Sequence, residues 1–206
     1  MTDSRAPVDD LATILGVVGD LVAAVRPDQW DAPTPCPEWH VRELVAHLVI
    51  GHDLFTGILR GEAAVGPGGL DPKNRDVLGD DPAGAYRRAT AGLLAAFRRP
   101  GALERIVEVP AGAVPGIAAV HLRAVEELVH GWDLARAIGG QVRFPEGIVE
   151  RELEFSRGKL AELPPDRRPF GPPQPVPDDA PPLDRLVALL GRSVDAAGRT
   201  RPVTDG

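Results

Sequence analysis

The chain has 206 residues, with 23 Lys/Arg against 30 Asp/Glu, a formal net charge of −7 and an isoelectric point near 5.2. A field of that sign repels phosphate backbones, no Lys/Arg-rich block interrupts it, and aromatic residues at 4% offer few stacking platforms, which together exclude nucleic-acid binding as a main function. No run approaches the roughly 18 apolar residues that a membrane helix needs, and the single cysteine, Cys36, excludes an internal disulfide and any Cys-rich zinc module.

With 43% hydrophobic and 26% charged residues, the composition is that of a soluble globular protein. The length fits one domain over residues 1–206, at about 150 residues per domain. The N-terminal residues place Asp3, Asp9 and Asp10 before the first apolar stretch and lack the basic region of a signal peptide, so a cytoplasmic protein is expected.

Helix one is predicted after a cap at Asp9 or Asp10, with Leu11, Ile14, Val18, Leu21, Val22 and Val25 at helical spacing. Arg26-Pro27 ends it, and a loop containing Pro33, Pro35 and Pro37 follows. Helix two is expected from Pro37 or Glu38 to Leu59, striped by Leu44, Val45, Leu48, Phe55, Ile58 and Leu59. Residues 61–80, rich in glycine and turn formers, read as a long loop. Helix three starts at an Asp81 cap with Pro82 in its first position and runs to about Arg99 through Tyr86, Ala89, Leu93, Leu94 and Phe97.

Residues 102–116 read as an irregular or short extended connection in which RIVEV finds no second strand. Helix four spans about 115–138, ends at Gly139-Gly140 and is apolar on several faces, so it should be the most buried element. Helix five opens at Pro145. From Leu163 to Pro182 nine prolines preclude helix and predict an extended crossing over the surface. Helix six then runs from Pro182 to about Gly198, and 199–206 form a frayed tail. The fold class is therefore all-α: a four-helix bundle of helices one, two, four and either three or six, with additional C-terminal helices and a Pro-rich crossing segment at about 164–182.

Chemistry concentrates on helix four. Glu126 and His130 are four residues apart, which stacks their side chains about 6 Å apart on one face and allows one cation to reach both. Burying an unpaired carboxylate costs several kcal/mol unless a cation or an Arg offsets it. His47, mid-helix in an apolar run of helix two, is the best third donor. Three N/O ligands leave one coordination position free, the pattern of catalytic rather than structural zinc; two His and one carboxylate also suit non-haem iron.

Other residues read more plainly. Gly51, one turn after His47, leaves a gap where a bound molecule could approach or helices could pack closely. His52 falls about 140° from His47 and is left at the surface or rim. His40 and His121 are solvated, and Glu127 is a salt-bridge partner. Trp132 and Asp133 are candidates to shape or hydrogen-bond the site, Asp133 alternatively pairing with Arg136 on the surface. Cys36 precedes a helix N-terminus that would stabilise its thiolate, but no base is placed beside it. Neither GxSxG, a P-loop nor GxGxxG is present, which excludes the nucleotide-fold enzymes.

The stretches TPCPEWHVRELVAHLV, VEELVHGWDLARAIGG and RPFGPPQPVPDDAPPLDRLVALLGR resemble signature blocks of the actinobacterial metal-binding proteins related to the N-terminal domain of mycothiol-dependent maleylpyruvate isomerase, in the DinB/YfiT-like superfamily. The resemblance implies a DinB-like four-helix bundle in up-down-down-up order that binds a divalent metal, zinc above all. It places the isomerase's His, Glu and His ligands on His47, Glu126 and His130, the trio that spacing singles out. It further implies a zinc-dependent S-transferase or isomerase acting on a small electrophile, with mycothiol or another low-molecular-weight thiol as cosubstrate. A monomer or homodimer is expected. The catalytic and cofactor-binding residues stay unassigned. The isomerase carries a further C-terminal domain that contributes to its active site and has no counterpart after helix six, so the resemblance does not carry maleylpyruvate activity itself over to this chain. A non-catalytic metal or small-ligand module and a thiol-independent metal-assisted hydrolase are the alternatives.

Overall fold

The computed structural model describes residues 6–63, 66, 70–73, 75–162 and 170–194. Among the described residues the fold has six α-helices and one hairpin: α1 Ala6–Ala24, α2 Val41–Arg60, α3 Pro82–Phe97, β1 Ile106–Val109, β2 Gly112–Pro115, α4 Gly116–Ala137, α5 Glu146–Glu162 and α6 Pro182–Leu189. α1 packs on α3 and α4, and α2 packs on the same two helices, which closes a four-helix ring with α3, not α6, as the fourth member. α5 covers α4 and receives α6. No described helix is long and apolar enough to cross a membrane.

The apolar stripes of the ring meet in one core in which Leu11, Ile14, Leu44, Leu48, Leu93, Leu128 and Leu134 are fully buried. Each such side chain contributes roughly 1.5–3 kcal/mol relative to exposure. α4 is the most enclosed element, because α1, α2, α5 and α6 all pack against it.

Several ends differ from expectation. α1 begins at Ala6, ahead of the expected Asp9 or Asp10 cap, so both aspartates are inside the helix, Asp9 in its first turn. α2 begins at Val41, not at Pro37 or Glu38, because His40 is extended and its amide donates to Glu43 Oε2 at 3.0 Å, one arm of a capping box. Chain reversal before it uses a 3-10 turn, Pro27–Gln29, whose Gln29 side chain donates to the Ile138 carbonyl at 2.9 Å and so caps the end of α4. α3 starts at the Asp81 cap and Pro82, as its sequence requires; the Asp81 carboxylate accepts from the Gly84 amide at 2.8 Å.

The expected connection at 102–116 contains an antiparallel hairpin, with Val107 paired to Val114 and Val109 to Gly112 across a two-residue turn. Val107 and Val109 enter the core while Ile106 and Glu108 face outward, the period of two that a half-covered strand requires. α6 stops at Leu189, well short of Gly198, because Gly191 adopts a left-handed φ of +87°. Of the Pro-rich crossing, 170–181 is without regular structure and is tied to α6 by the Gln174 amide on the Ala188 carbonyl at 2.8 Å. Residues 163–169 of the crossing and the expected tail at 199–206 lie outside the described residues.

One polar knot holds α2, α3 and α4 together inside the core. The Glu127 carboxylate accepts from Tyr86 Oη at 2.5 Å and from Arg123 Nη2 at 3.2 Å, and His52 Nε2 stands 3.2 Å from it, all four side chains being fully buried. His52 is therefore an interior residue, not a rim residue. Burial and the neighbouring Arg123 charge hold its imidazole neutral, well below the ordinary histidine range. Gly51 makes the knot possible: a Cβ there would stand 2.7 Å from Arg123 Nη1. The space expected beside His47 at this glycine is filled by the guanidinium.

Removing Glu127 strands the Arg123 charge, so Glu127→Ala is expected to lower the unfolding free energy by about 3–5 kcal/mol. Gly51→Ala, which pushes on the guanidinium, should cost about 1–3 kcal/mol. Urea unfolding reads both; losses well under 1 kcal/mol would show that the knot does not anchor the bundle.

Candidate metal centre

α2 and α4 bring His47, Glu126 and His130 to one point. One donor atom from each residue lies within 4.8 Å of the other two. Glu126 Oε2 is 3.3 Å from His47 Nε2 and 3.5 Å from His130 Nε2, and both rings are buried while Glu126 is half-buried. The i,i+4 pairing on α4 behaves as its spacing requires.

The outer nitrogen of each ring is occupied. His47 Nδ1 stands 3.0 Å from the Leu70 carbonyl, which can only accept, so Nδ1 carries the hydrogen. His130 Nδ1 faces Asp133 Oδ2 at 3.1 Å, and Asp133 in turn accepts from Arg192 Nη2 at 2.8 Å and Nε at 3.1 Å. Both Nε2 atoms are thereby turned toward Glu126. Fixing the outer N–H in this way orients imidazole for coordination.

The electrostatics follow from the same contacts. Burial alone would lower His130, but hydrogen bonds to Asp133 and Glu126 overcome it and raise the imidazolium to about 9. Burial would raise Glu126, yet its hydrogen bonds from His130 and His47 hold it well below the usual carboxylate range. Asp133 is likewise lowered against its burial by His130 and Arg192. The cluster is an ionised carboxylate between the His130 imidazolium and the His47 ring.

Trp39 roofs the cluster, its ring stacked on His47 at 4.2 Å between centroids and tilted against His130 at 5.6 Å. The loop before α2 is rigid enough to hold it there: the Thr34 hydroxyl sits between the Cys36 and Trp39 carbonyls at 2.9 and 2.8 Å, and the Val41 amide donates to the Ala32 carbonyl at 3.0 Å. Sequence reasoning missed both Trp39 and Arg192. Each lies outside the helical periodicity that singled out the trio, and only the folded loop and turn bring them near.

The remaining residues fall elsewhere. Trp132 lies in a separate groove with Arg136 stacked over it at 4.9 Å, so Asp133 pairs with His130 and Arg192 rather than with Arg136. His121 is half-buried, not solvated, with Nδ1 2.9 Å from the Glu152 carboxylate and its ring stacked on Phe155. His40 is exposed and caps α2. Cys36 is buried four residues before that cap, and burial pushes its thiol up, against the activated thiolate that a helix N-terminus would give.

Fold and cluster together define a helical-bundle protein with two histidines and one carboxylate gathered between neighbouring helices. The family model for the mycothiol maleylpyruvate isomerase N-terminal domain matches residues 11–135, and the chain belongs to that family. An uncharacterized protein of Mycobacterium tuberculosis, Rv0738, is 36% identical over 176 residues, covering 84% of this chain and 91% of its own length; MT0763 from a second strain of that organism matches equally. Crystal structures of the mycothiol-dependent maleylpyruvate isomerase and of a histidine-to-alanine variant of it share the fold, each with a TM-score of 0.59 over 73% of this chain and 68% of theirs, at 17% and 16% identity. The DinB-like helical bundle expected from the resemblance is thus the fold observed.

His130 paired on both sides should stay protonated in the metal-free protein far above the ordinary histidine value of 6.5. Its pairing stabilises the fold fully below about 6.5 and is lost as pH rises through about 9. An imidazole NMR titration, assigned by loss of the signal in His130→Ala, reads this directly; a midpoint near 6.5 would show that the ring does not see both carboxylates.

Proposed function

We propose that His47, Glu126 and His130 hold one divalent metal ion, zinc by donor preference, and that the protein presents a low-molecular-weight thiol of the mycothiol kind to a small electrophile, as an S-transferase or isomerase. The observation that carries the reading is the convergence of the three donor atoms within 4.8 Å, with the outer nitrogen of each ring already engaged. The donor set fits the ion: nitrogen and oxygen ligands, three in number, on two packed helices.

When bound, zinc supplies Lewis acidity, which lowers the pKa of a thiol toward neutrality. The residues shape how that acidity is felt. Two neutral imidazoles and a single carboxylate compensate only part of a divalent charge, which favours an anionic sulfur as the further partner. Asp133 and the Leu70 carbonyl fix the ring orientations, and Trp39 closes one side with an apolar face. The thiol part of the reading is supported by membership of a family named for mycothiol maleylpyruvate isomerase.

Elemental analysis of untagged, unchelated protein is expected to return near-stoichiometric metal, lost in His130→Ala and in His47→Ala. Protein that stays metal-free after zinc is added would remove the ligand assignment. In the metallated protein, turnover across a panel of electrophiles should require added thiol. Turnover without thiol supports hydrolysis, and no turnover at all supports a non-catalytic binding module. Because His130 keeps its proton up to about 9, metal uptake at neutral pH should release that proton and tighten as pH rises toward 9.

A further inference from the structure

The C-terminal segment reaches the centre through the Arg192 side chain. Arg192 follows α6, outside residues 11–135 that the family model covers. Its guanidinium reaches 59 residues back along the chain to Asp133, with Nε 3.1 Å from Oδ1 and Nη2 2.8 Å from Oδ2. Asp133 Oδ2 also accepts from His130 Nδ1 at 3.1 Å. A side chain that touches no ligand thus closes the chain Arg192, Asp133, His130.

The backbone that delivers Arg192 is narrowly built. Its amide donates to the Val187 carbonyl at 2.9 Å. The preceding Gly191 has a φ of +87°, and a Cβ on it would stand 2.9 to 3.0 Å from the Gly171 backbone. Here the Pro-rich crossing and the end of α6 touch main chain to main chain, which only glycine permits. The Gln174 amide on the Ala188 carbonyl holds the same two segments together. The crossing therefore has a use beyond covering surface: it fixes the turn from which Arg192 points inward.

Asp133 has a buried carboxylate whose two oxygens serve His130 and Arg192 at once. Without the guanidinium it would be free to rotate toward whatever donor remained, and the His130 ring would lose its fixed orientation. A planar fork is the group suited to this, because two parallel N–H bonds set the plane of the carboxylate, which a lysine ammonium cannot do. Each guanidinium nitrogen has a partner within the chain, since Nη1 faces the Leu190 carbonyl at 3.4 Å.

Resting on the metal reading above, we infer that Arg192 is a positioning residue of the centre: it locks Asp133, which orients His130 Nε2 toward the ion, so the C-terminal turn is a working part of the site.

The test is zinc affinity by chelator competition on the full chain, beside Arg192→Met, Arg192→Lys and Asp133→Asn, with thermal unfolding of each metal-free protein as a control for folding. Arg192→Met should keep the bundle and weaken zinc by about 10–100-fold. Arg192→Lys, which restores charge without the fork, should recover part of the loss, and Asp133→Asn should match Arg192→Met. In the metal-free proteins, the His130 imidazole resonance should broaden or shift in Arg192→Met while His52 is unchanged. If Arg192→Met does not fold, Arg192→Lys carries the same comparison with a smaller loss. Wild-type affinity in a folded Arg192→Met or Arg192→Lys overturns this inference alone. A parent chain that takes up no zinc overturns the metal reading and this inference with it.

Discussion

Two carboxylates stand side by side on the most enclosed helix of the molecule, and the structure depends on how each is compensated. Glu127 faces inward and finds its partners within the chain, the Arg123 guanidinium, the Tyr86 hydroxyl and the adjacent His52, although burial still pushes its carboxyl up. Glu126, rotated about 100° from it, meets two imidazoles instead. Among the described residues no Lys or Arg forms an ion pair with Glu126, whereas Glu127 has one that is fully buried. The first carboxylate is structural because its partner is permanent and sealed. The second is the one left facing groups that can exchange a proton for a cation.

That division also explains why the bundle tolerates so much charge in its interior. Breaking a buried ion pair is expensive, but keeping one adds little net stability over apolar packing, so the value of the Glu127 knot lies in specificity of arrangement. It joins side chains from α2, α3 and α4, and the guanidinium fits only where Gly51 has no side chain. Sliding α2 by one residue would drive a Cβ into Arg123. The same restraint sets the height at which His47 meets Glu126, one turn away on the same two helices. The architecture is thus a buried polar lock next to the His47, Glu126 and His130 cluster on the same two helices.

The sequence made the helices legible wherever burial follows a simple period. The stripe through Leu44, Leu48 and Phe55, the Asp81-Pro82 start and the Gly139-Gly140 stop all lie where periodicity and capping put them. The hairpin was not legible, because its second strand, GAVP, has one β-branched residue and ends in proline, which left the β-branched IVEV of the first without a visible partner. The start of α2 lies later than Pro37 or Glu38, where a first turn would tolerate proline, because it is set by the Glu43 side chain accepting from the His40 amide. In the cluster, the i,i+4 pair was legible from spacing and His47 from its apolar setting. His52 was not, since a helical wheel gives its angle relative to His47 but cannot show that a second helix buries that angle too. Trp39, held by a loop, and Arg192, held by a turn between two glycines, had no periodic signal at all.

The distribution of these parts along the chain carries a further consequence for how the bundle and its C-terminal segment relate. The three converging donors all come from α2 and α4, so the four-helix ring alone could present them. The ring does not by itself fix the outer face of His130, because Asp133 is then a buried carboxylate with one imidazole donor and an unsatisfied second oxygen. The crossing and α6 supply what is missing: a guanidinium at the one position where it completes the carboxylate. A Pro-rich segment suits that task. Proline cannot return to helix and limits the conformations of the unfolded chain, so ordering twelve residues without regular structure against α6 costs less entropy than it would for a glycine- or serine-rich linker. What composition alone presents as a surface strap is, in the folded protein, the element that connects the far end of the chain to the chemistry of α4.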